Sequence, residues 1–574
     1  MTSRWNYLPL TAEEQKLETE LARRFANVAP ISELLVQRGI SSVAEAEKFF
    51  HPSLRDLHDP FLMPDMDKAV DRLNRAMGSK ERIMVYGDYD VDGTTAVSLV
   101  YRYLQNFYSE IEYYIPTRYD DGYGISKAVI DEADERDVKL IIILDCGIKA
   151  IEEIRYAREK GIDFIICDHH VPDDELPPAV AILNPKMEGS TYPCPHLSGC
   201  GVGYKLMQAF SISNGIGTAE LESMLDLVAV SIAADIVPMV DENRVMAYHG
   251  LKRLNTNPNM GLRAIIRTCG LGGKEITISD VIFKIGPRIN ASGRMENGKL
   301  SVQLLVENNP DTAVTTAKEI DEYNDLRRDI DKQMTEEANV IVERLNKQEN
   351  RQCIVVYDEN WKKGVVGIVA ARLTDMYFRP TVVLTRDGDY AVGSARSVAG
   401  FDIYSAIKSC RDLLVNFGGH TFACGLTIRW NDVDLFKQRI EEYVSRHIQP
   451  TQTVPTLNAD ATINFSDINR RMLHDLKRFA PFGPGNTKPV FITNEVYDFG
   501  TSKVVGRQQE HLKLELVDSN SPTVMNGIAF GLSSVARYIK SRRSFNVLYT
   551  IEENVYRRGN VQLQIDDIHI GTKS

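Results

Sequence analysis

The sequence predicts a multidomain α/β protein whose leading domain is built on a parallel sheet. Three observations predict it. Short apolar runs alternate with amphipathic stretches from Arg82 onward, at Ile83 to Tyr86, Ile111 to Ile115, Leu140 to Leu144, Phe164 to Cys167 and Val180 to Leu183. Several of these runs are apolar at every position, as strands covered on both faces are. The chain has 574 residues, more than one core holds, because single cores stop growing near about 250–300 residues.

The elements follow in order. Residues 1–80 read as helical, with apolar positions at helical spacing through Ile31, Leu34, Leu35 and Val36 and again at Val43, Ala46, Phe49 and Phe50, and are expected to pack on the core that follows. Residues 81–305 form the parallel-sheet domain. Asn309-Pro310-Asp311 then supplies a polar cap, a proline at the first helical position and an acid in the first turn. Ile320, Tyr323, Leu326, Ile330, Met334, Ala338, Ile341 and Leu345 continue at spacings of three and four, so a helix of roughly 35 residues should follow that cap, making residues 306–348 the connection between two domains. Residues 349–449 fit a smaller α/β domain. After the polar segment Gln449 to Pro455, residues 456–574 show short alternating strands, as in a small β-barrel with at least one helix.

Composition sets bounds on function. The chain is 43% hydrophobic and 25% charged, with 67 Lys and Arg against 79 Asp and Glu, a net charge of -12. That balance alone argues against nucleic acid, but residues 450–574 hold 15 basic and 12 acidic side chains while the remainder is strongly acidic. Any DNA-binding surface must therefore be local. No run of about 18 apolar residues occurs and the start has no signal-peptide core, so a cytoplasmic protein is expected. The eight cysteines contain no Cys-x-x-Cys pair and read as buried thiols; Cys194, His196 and Cys200 lack the partners that would complete a zinc site.

The chemistry lies where the predicted strands end. Gly87-Asp88-Tyr89-Asp90-Val91-Asp92-Gly93 places three carboxylates on alternate residues before a helix. Acids so close repel unless a cation neutralises them. An EF-hand would need Glu at its twelfth position, which is Leu99, and no Gly-Lys-Ser/Thr follows to make a P-loop. Asp145-Cys146-Gly147 and Asp168-His169-His170 end two further strands, and strand ends in an open parallel sheet share one crevice. Asp235, in Ala234-Asp235-Ile236-Val237-Pro238, follows an apolar helical run and is a natural further ligand. Carboxylates with one or two imidazoles suit Mn²⁺ or Mg²⁺, and five or more acids leave room for two ions sharing a bridging carboxylate, the logic of phosphoester hydrolysis.

These four motifs, in this order, resemble the DHH phosphoesterase superfamily, and within it the bacterial single-strand-specific exonucleases. Gly122-Tyr123-Gly124, Pro287-Arg288-Ile289-Asn290-Ala291-Ser292-Gly293-Arg294, Gly393-Ser394-Ala395-Arg396-Ser397, Gly418-Gly419-His420 and Pro481-Phe482-Gly483-Pro484-Gly485-Asn486 are similar to further signatures of that group. The resemblance implies a DHH phosphoesterase domain, a DHH-associated domain after the long helix, a DNA cleft between them, and a C-terminal OB-fold. It implies a metal-dependent enzyme that degrades single-stranded DNA from the 5′ end to mononucleotides in recombination and repair, acting as a monomer beside a helicase and a single-strand-binding protein. Asp88, Asp90, Asp92, Asp145, His169 and Asp235 would hold two Mn²⁺ or Mg²⁺ ions, with Asp145 as the bridge. His170 would stand near the scissile phosphate or just behind the ligands. Arg118, Arg288, Asn290, Arg294, Ser394, Arg396, Gly418, Gly419 and His420 would bind the substrate, and the barrel would add Arg542 and Arg543 from a basic, aromatic-bearing surface.

Two other readings share the motifs. A DHH-type oligonucleotide or cyclic-dinucleotide phosphodiesterase would keep the core and generally lack the barrel, and a non-catalytic single-strand-binding scaffold would show degraded motifs. Here all four motifs are filled.

Overall fold

The computed structural model describes residues 3–25, 29–117, 124–295, 298–348, 351–553 and 561–570. It divides into a larger unit, Asn6–Ile320 with Asn458–Ser574, and a smaller one, Met1–Trp5 with Asp321–Leu457. The helix Pro310–Gln348 begins in the larger unit and continues into the smaller.

The larger unit holds a five-stranded sheet in the order Ile111–Tyr114, Arg82–Gly87, Val138–Leu144, Asp163–Cys167, Ala181–Leu183, parallel throughout. Side chains alternate between two cores. Ile83, Val85, Leu140, Ile142, Leu144 and Ile165 face one, with the helices Val91–Gln105 and Gly199–Ser213 packed over them. Met84, Tyr86, Ile141, Ile143, Phe164 and Ile166 face the other, beneath Val129, Ile130 and Ile154. Burial on both faces is why these strands read as unbroken apolar runs. Because the first strand lies between the second and the third, the chain winds both ways from it, and the loops leaving neighbouring strand ends open the crevice at which such sheets bind ligands.

The barrel also lies in the larger unit. Val490–Asp498, Phe545–Glu553, Val561–Ile570, Met525–Ala529 and His511–Asp518 pair in sequence round the ring, and Val490–Asp498 pairs with His511–Asp518 to close it. The N-terminal residues depart from expectation. Leu21, Ile31, Leu34, Leu35, Ala46 and Phe50 share a core with Phe465, Phe479, Phe491 and Leu514 of the C-terminal domain, while Met63 and the helix Met66–Gly78 join the core of the parallel sheet, with Leu54 and Leu57 packed against it. An apolar helical face specifies burial but not its partner, and Phe49, Phe50 and Phe479 meet edge to face at centroid distances of 5.3–5.6 Å.

The smaller unit has a five-stranded mixed sheet ordered Leu414–His420, Ala423–Arg429, Tyr390–Arg396, Thr381–Asp387, Ile354–Asp358. Only its last two strands are parallel to each other. Among the described residues no helix is long and apolar enough to cross a membrane.

Candidate metal centre

The strand Arg82–Gly87 delivers the first motif, and Asp90 caps the following helix by accepting the N–H of Gly93 at 3.0 Å. The turn is tight: a Cβ on Gly93 would stand 2.3 Å from the Asp88 carbonyl oxygen, so only glycine fits. Asp92, almost wholly buried, accepts the N–H groups of Gly199 (2.7 Å) and Cys200 (2.8 Å) and the hydroxyl of Ser231 (2.7 Å). Its charge thus meets the positive N-terminal end of the helix Gly199–Ser213. Asp145 leaves the strand Val138–Leu144 with φ 60°, a left-handed conformation that aspartate tolerates better than most residues.

His169 and His170 differ in partners. The Nδ1 of His169 lies 3.0 Å from the carbonyl oxygen of Leu197. A carbonyl can only accept, so Nδ1 carries the proton and Nε2 presents its lone pair. That buried Nε2 has no hydrogen-bond partner and faces carboxylate oxygens of Asp145 at 3.2 Å, Asp235 at 3.6 Å and Asp92 at 3.7 Å. A lone pair aimed at three carboxylates is repulsive without a cation among them. His170 is half open to solvent, and its Nδ1 donates to Asp168 Oδ1 at 2.7 Å. Asp168 also accepts the N–H groups of Ile148, His169 and His170. Burial would raise its carboxyl, but His170 and these N–H groups win and hold it at about 2. His170 rises in return, Asp168 outweighing the opposing effect of burial.

Three sets of donor atoms lie close enough to share an ion: Asp88, Asp90 and Asp145; Asp145, His169 and His170; Asp92, His169 and Asp235. Asp145 and His169 each belong to two of the three. Burial, with Asp92 and Asp90 next, pushes Asp145 well above the carboxylate range and Asp235 up to about 8. Burial and Asp92 raise Asp90 too. Carboxyls held this high would sooner take up protons than stay charged, unless divalent cations supply the compensating charge. Oxygen donors with one or two imidazoles fit Mn²⁺ or Mg²⁺. Among the described residues no such set gathers Cys194, His196 and Cys200, and both thiols are buried.

The structure brings together all six residues expected to bind metal, and His170 with them. Asn290 stands beside the first motif, where its Oδ1 accepts the N–H of Val91 at 3.0 Å, bracing the Asp90 turn. Arg288 and Arg294 lie on the same helix, Gly286–Met295, and the guanidinium of Arg288 donates to the carbonyl of Lys284. Ser394 and Arg396 sit two residues apart on Tyr390–Arg396, the Arg396 guanidinium donating to Ser394 Oγ at 2.6 Å. Gly418, Gly419 and His420 end the strand Leu414–His420 in the same unit. Arg542 and Arg543 are exposed in the turn before Phe545–Glu553, and Arg118 lies outside the described residues.

Sequence reasoning missed several supports. Asn184, whose Nδ2 donates to the His170 carbonyl at 2.8 Å, ends the strand Ala181–Leu183 and obeys the same strand-end rule as the motifs. Ser231 sits inside an apolar helix, and Leu197 acts through its backbone; neither leaves a sequence signal.

Comparison with known proteins agrees along the chain. Family models described as "DHH family, N-terminal domain", "DHHA1 domain" and "RecJ OB domain" match residues 82–232, 339–446 and 459–567. The single-stranded-DNA-specific exonuclease RecJ of Bacillus subtilis (strain 168) is 37% identical over 495 residues, covering 86% of this chain and 62% of that protein. RecJ of Haemophilus influenzae is 30% identical over 567 residues, covering 96% of this chain and 97% of that one. The crystal structure of RecJ in complex with Mn²⁺ from Thermus thermophilus superposes with a TM-score of 0.84 at 24% identity, over 99% of this chain and 80% of that one. With its three matched domains in the RecJ order and this identity over nearly its whole length, the chain belongs to the family of single-stranded-DNA-specific exonucleases RecJ.

Proposed function

We propose that this chain is a Mn²⁺- or Mg²⁺-dependent exonuclease that hydrolyses single-stranded DNA from its 5′ end to 5′-mononucleotides, in DNA recombination and repair. The observation that carries the reading is the buried, unpartnered Nε2 of His169 facing three carboxylates, inside donor sets that overlap at Asp145 and His169. Asp88, Asp90, Asp92, Asp145, His169 and Asp235 would hold two ions, Asp145 lying between the sets. Bound divalent cations would supply a lowered pKa for water and neutralisation of the phosphoryl charge.

The chain's own residues do the rest. Hydrolysis breaks the P–O3′ bond, leaving a 5′-phosphate on the shortened strand and a 3′-hydroxyl on the departing nucleotide. The leaving oxygen needs a proton. His170 is solvent-accessible and has its Nδ1 committed to Asp168, whose charge favours the protonated ring against the effect of burial, so His170 would be the group that supplies this proton. Asp168 orients that ring and stays charged. Asn290 and the helix Gly199–Ser213 keep the carboxylates in place before substrate arrives, which is preorganisation rather than binding.

Substrate contacts by Arg118, Arg288, Asn290, Arg294, Ser394, Arg396, the Gly418-Gly419-His420 strand end, Arg542 and Arg543 rest on the resemblance, as does a monomer working beside a helicase and a single-strand-binding protein. The match of residues 459–567 to a RecJ OB domain favours a single-strand substrate over a dinucleotide. Asp145→Asn tests the reading: nuclease activity with Mn²⁺ should fall by about a thousandfold or more while the fold is kept. Turnover near the wild-type rate would remove Asp145 from the site.

A further inference from the structure

The turn that carries Asp235 is held by a segment from the far end of the sequence. Asp235 closes the helix Leu225–Ala234; Ile236 follows with φ 57°, and Asp241 opens the next helix with φ 48°. A β-branched residue in the left-handed region is a rare outlier, kept only where the surroundings dictate it. The Pro481-Phe482-Gly483-Pro484-Gly485-Asn486 loop packs on the end of this same turn, at Met239 and Val240. The N–H of Met239 donates to the Pro484 carbonyl at 2.6 Å. Gly483 lies against Met239, where an added Cβ would stand 3.0 Å from the Met239 Cβ. Gly485 has φ 76°, and a Cβ there would stand 2.9 Å from Val240 Cγ1.

The loop is braced in turn. Gly483 and Asn486 exchange both backbone hydrogen bonds, each 3.0 Å. Asn486 Nδ2 donates to the carbonyls of Phe479 (2.7 Å) and Pro481 (2.8 Å), and its Oδ1 accepts from Arg38 Nε (2.8 Å). Arg244, buried on the helix that follows the Asp235 turn, donates to the carbonyls of Phe479 (2.8 Å), Pro481 (3.3 Å), Phe49 (3.0 Å) and Arg478 (3.3 Å) and stacks on the Phe49 ring at 3.8 Å. The turn, the loop and the N-terminal helices are thus one locked body.

We propose that the Pro481–Asn486 loop is a positioning element for Asp235, so that the metal affinity of the phosphoesterase domain depends on a loop of the C-terminal domain, with Gly485 and Asn486 its principal residues; this rests on the metal-centre reading above. Ligand-orienting groups of this kind set metal affinity by about 10–100-fold. The loop supplies none of the candidate donor atoms itself and acts through the turn, so its loss should show in metal binding before it shows in DNA binding.

The test uses the full chain and three variants. Gly485→Ala places a methyl against Val240; Asn486→Ala removes the brace without adding an atom. Gly531→Ala is the control, because Gly531 also has a left-handed backbone, φ 73°, in the barrel but nothing within 4 Å of a Cβ. Mn²⁺ binding is titrated calorimetrically, single-stranded oligonucleotide binding is followed by anisotropy without metal, and thermal unfolding is recorded for each. Gly485→Ala and Asn486→Ala should weaken Mn²⁺ binding about tenfold or more, with oligonucleotide binding within about twofold of wild type, while Gly531→Ala keeps wild-type Mn²⁺ affinity. Should Gly485→Ala not fold, Asn486→Ala decides. Wild-type Mn²⁺ affinity in the loop variants, or equal loss in Gly531→Ala, overturns the proposal. A wild-type chain that takes up no Mn²⁺ overturns the metal-centre reading itself, a distinct result.

Discussion

At the scale of single residues, one side-chain type does three different jobs, set by what donates to it. Asp168 gives its oxygens to three N–H groups and His170, and so orients an imidazole. Asp92 fixes a helix terminus, and Asp145 sits among other carboxylates with its own carboxyl raised. The crowding costs stability whenever no cation is bound. Asp145→Asn should therefore stabilise the metal-free protein by about 1–2 kcal/mol, since asparagine tolerates the left-handed backbone and removes a buried carboxyl that must otherwise repel its neighbours or take up a proton. Urea unfolding in chelator measures this, and a destabilised variant would contradict it. The sequence made the clustered carboxylates and imidazoles legible because strand ends and alternate spacing announce them. It could not separate Asp168 from the ligands, because that difference lies in hydrogen bonds and not in spacing.

At the scale of elements, two helices illustrate what holds the site up. The helix Leu225–Ala234, which ends at Asp235, carries Asp226 at its other end, where burial pushes the carboxyl up to about 6 despite N–H groups from Asn259 and Leu227. Below about pH 4 Asp226 is protonated folded or unfolded. Between about pH 4 and 6 the unfolded chain releases that proton and the folded chain keeps it, so stability falls as pH rises, by about 3 kcal/mol in all. Relative to Asp226→Asn, the wild type should lose that amount across this window and change little above it; denaturant unfolding at pH 4, 5, 6 and 7 checks it. The helices Gly199–Ser213 and Asp241–Thr256 are joined by a buried pair, Lys205 Nζ lying 2.8 Å from Glu242 Oε1 and 2.6 Å from the His58 carbonyl, with Tyr192 donating to Glu242 Oε2 at 2.5 Å. Lys205→Met strands a buried carboxylate and should cost about 3–5 kcal/mol, and adding Glu242→Leu should restore much of it. Non-recovery in the double variant would show that the cost lies in packing. Neither Lys205 nor Glu242 is marked in the sequence, since each sits in a helix where a charge normally faces water.

At the scale of the whole molecule, the order of domains was legible and one packing partner was not. Unbroken apolar runs marked the sheet, short alternating strands marked the barrel, and apolar positions at spacings of three and four marked the helix Pro310–Gln348. The helices Ala12–Phe25, Ala29–Gln37 and Val43–Phe50, however, share a core with the barrel rather than with the sheet that follows them, and Phe49 and Phe50 meet Phe479 across the length of the chain. The acidic balance, net -12, is consistent with a DNA enzyme once the carboxylates of the metal centre are counted apart from the basic residues of the barrel. The most direct test of the central claim is an end-labelled single-stranded oligonucleotide incubated with the protein and Mn²⁺. The account predicts that a 5′ label leaves at once as a mononucleotide, that a 3′ label stays on progressively shorter strands, that the same sequence as a blunt duplex resists, and that chelation stops the reaction. Early release of the 3′ label, or equal attack on the duplex, would contradict it.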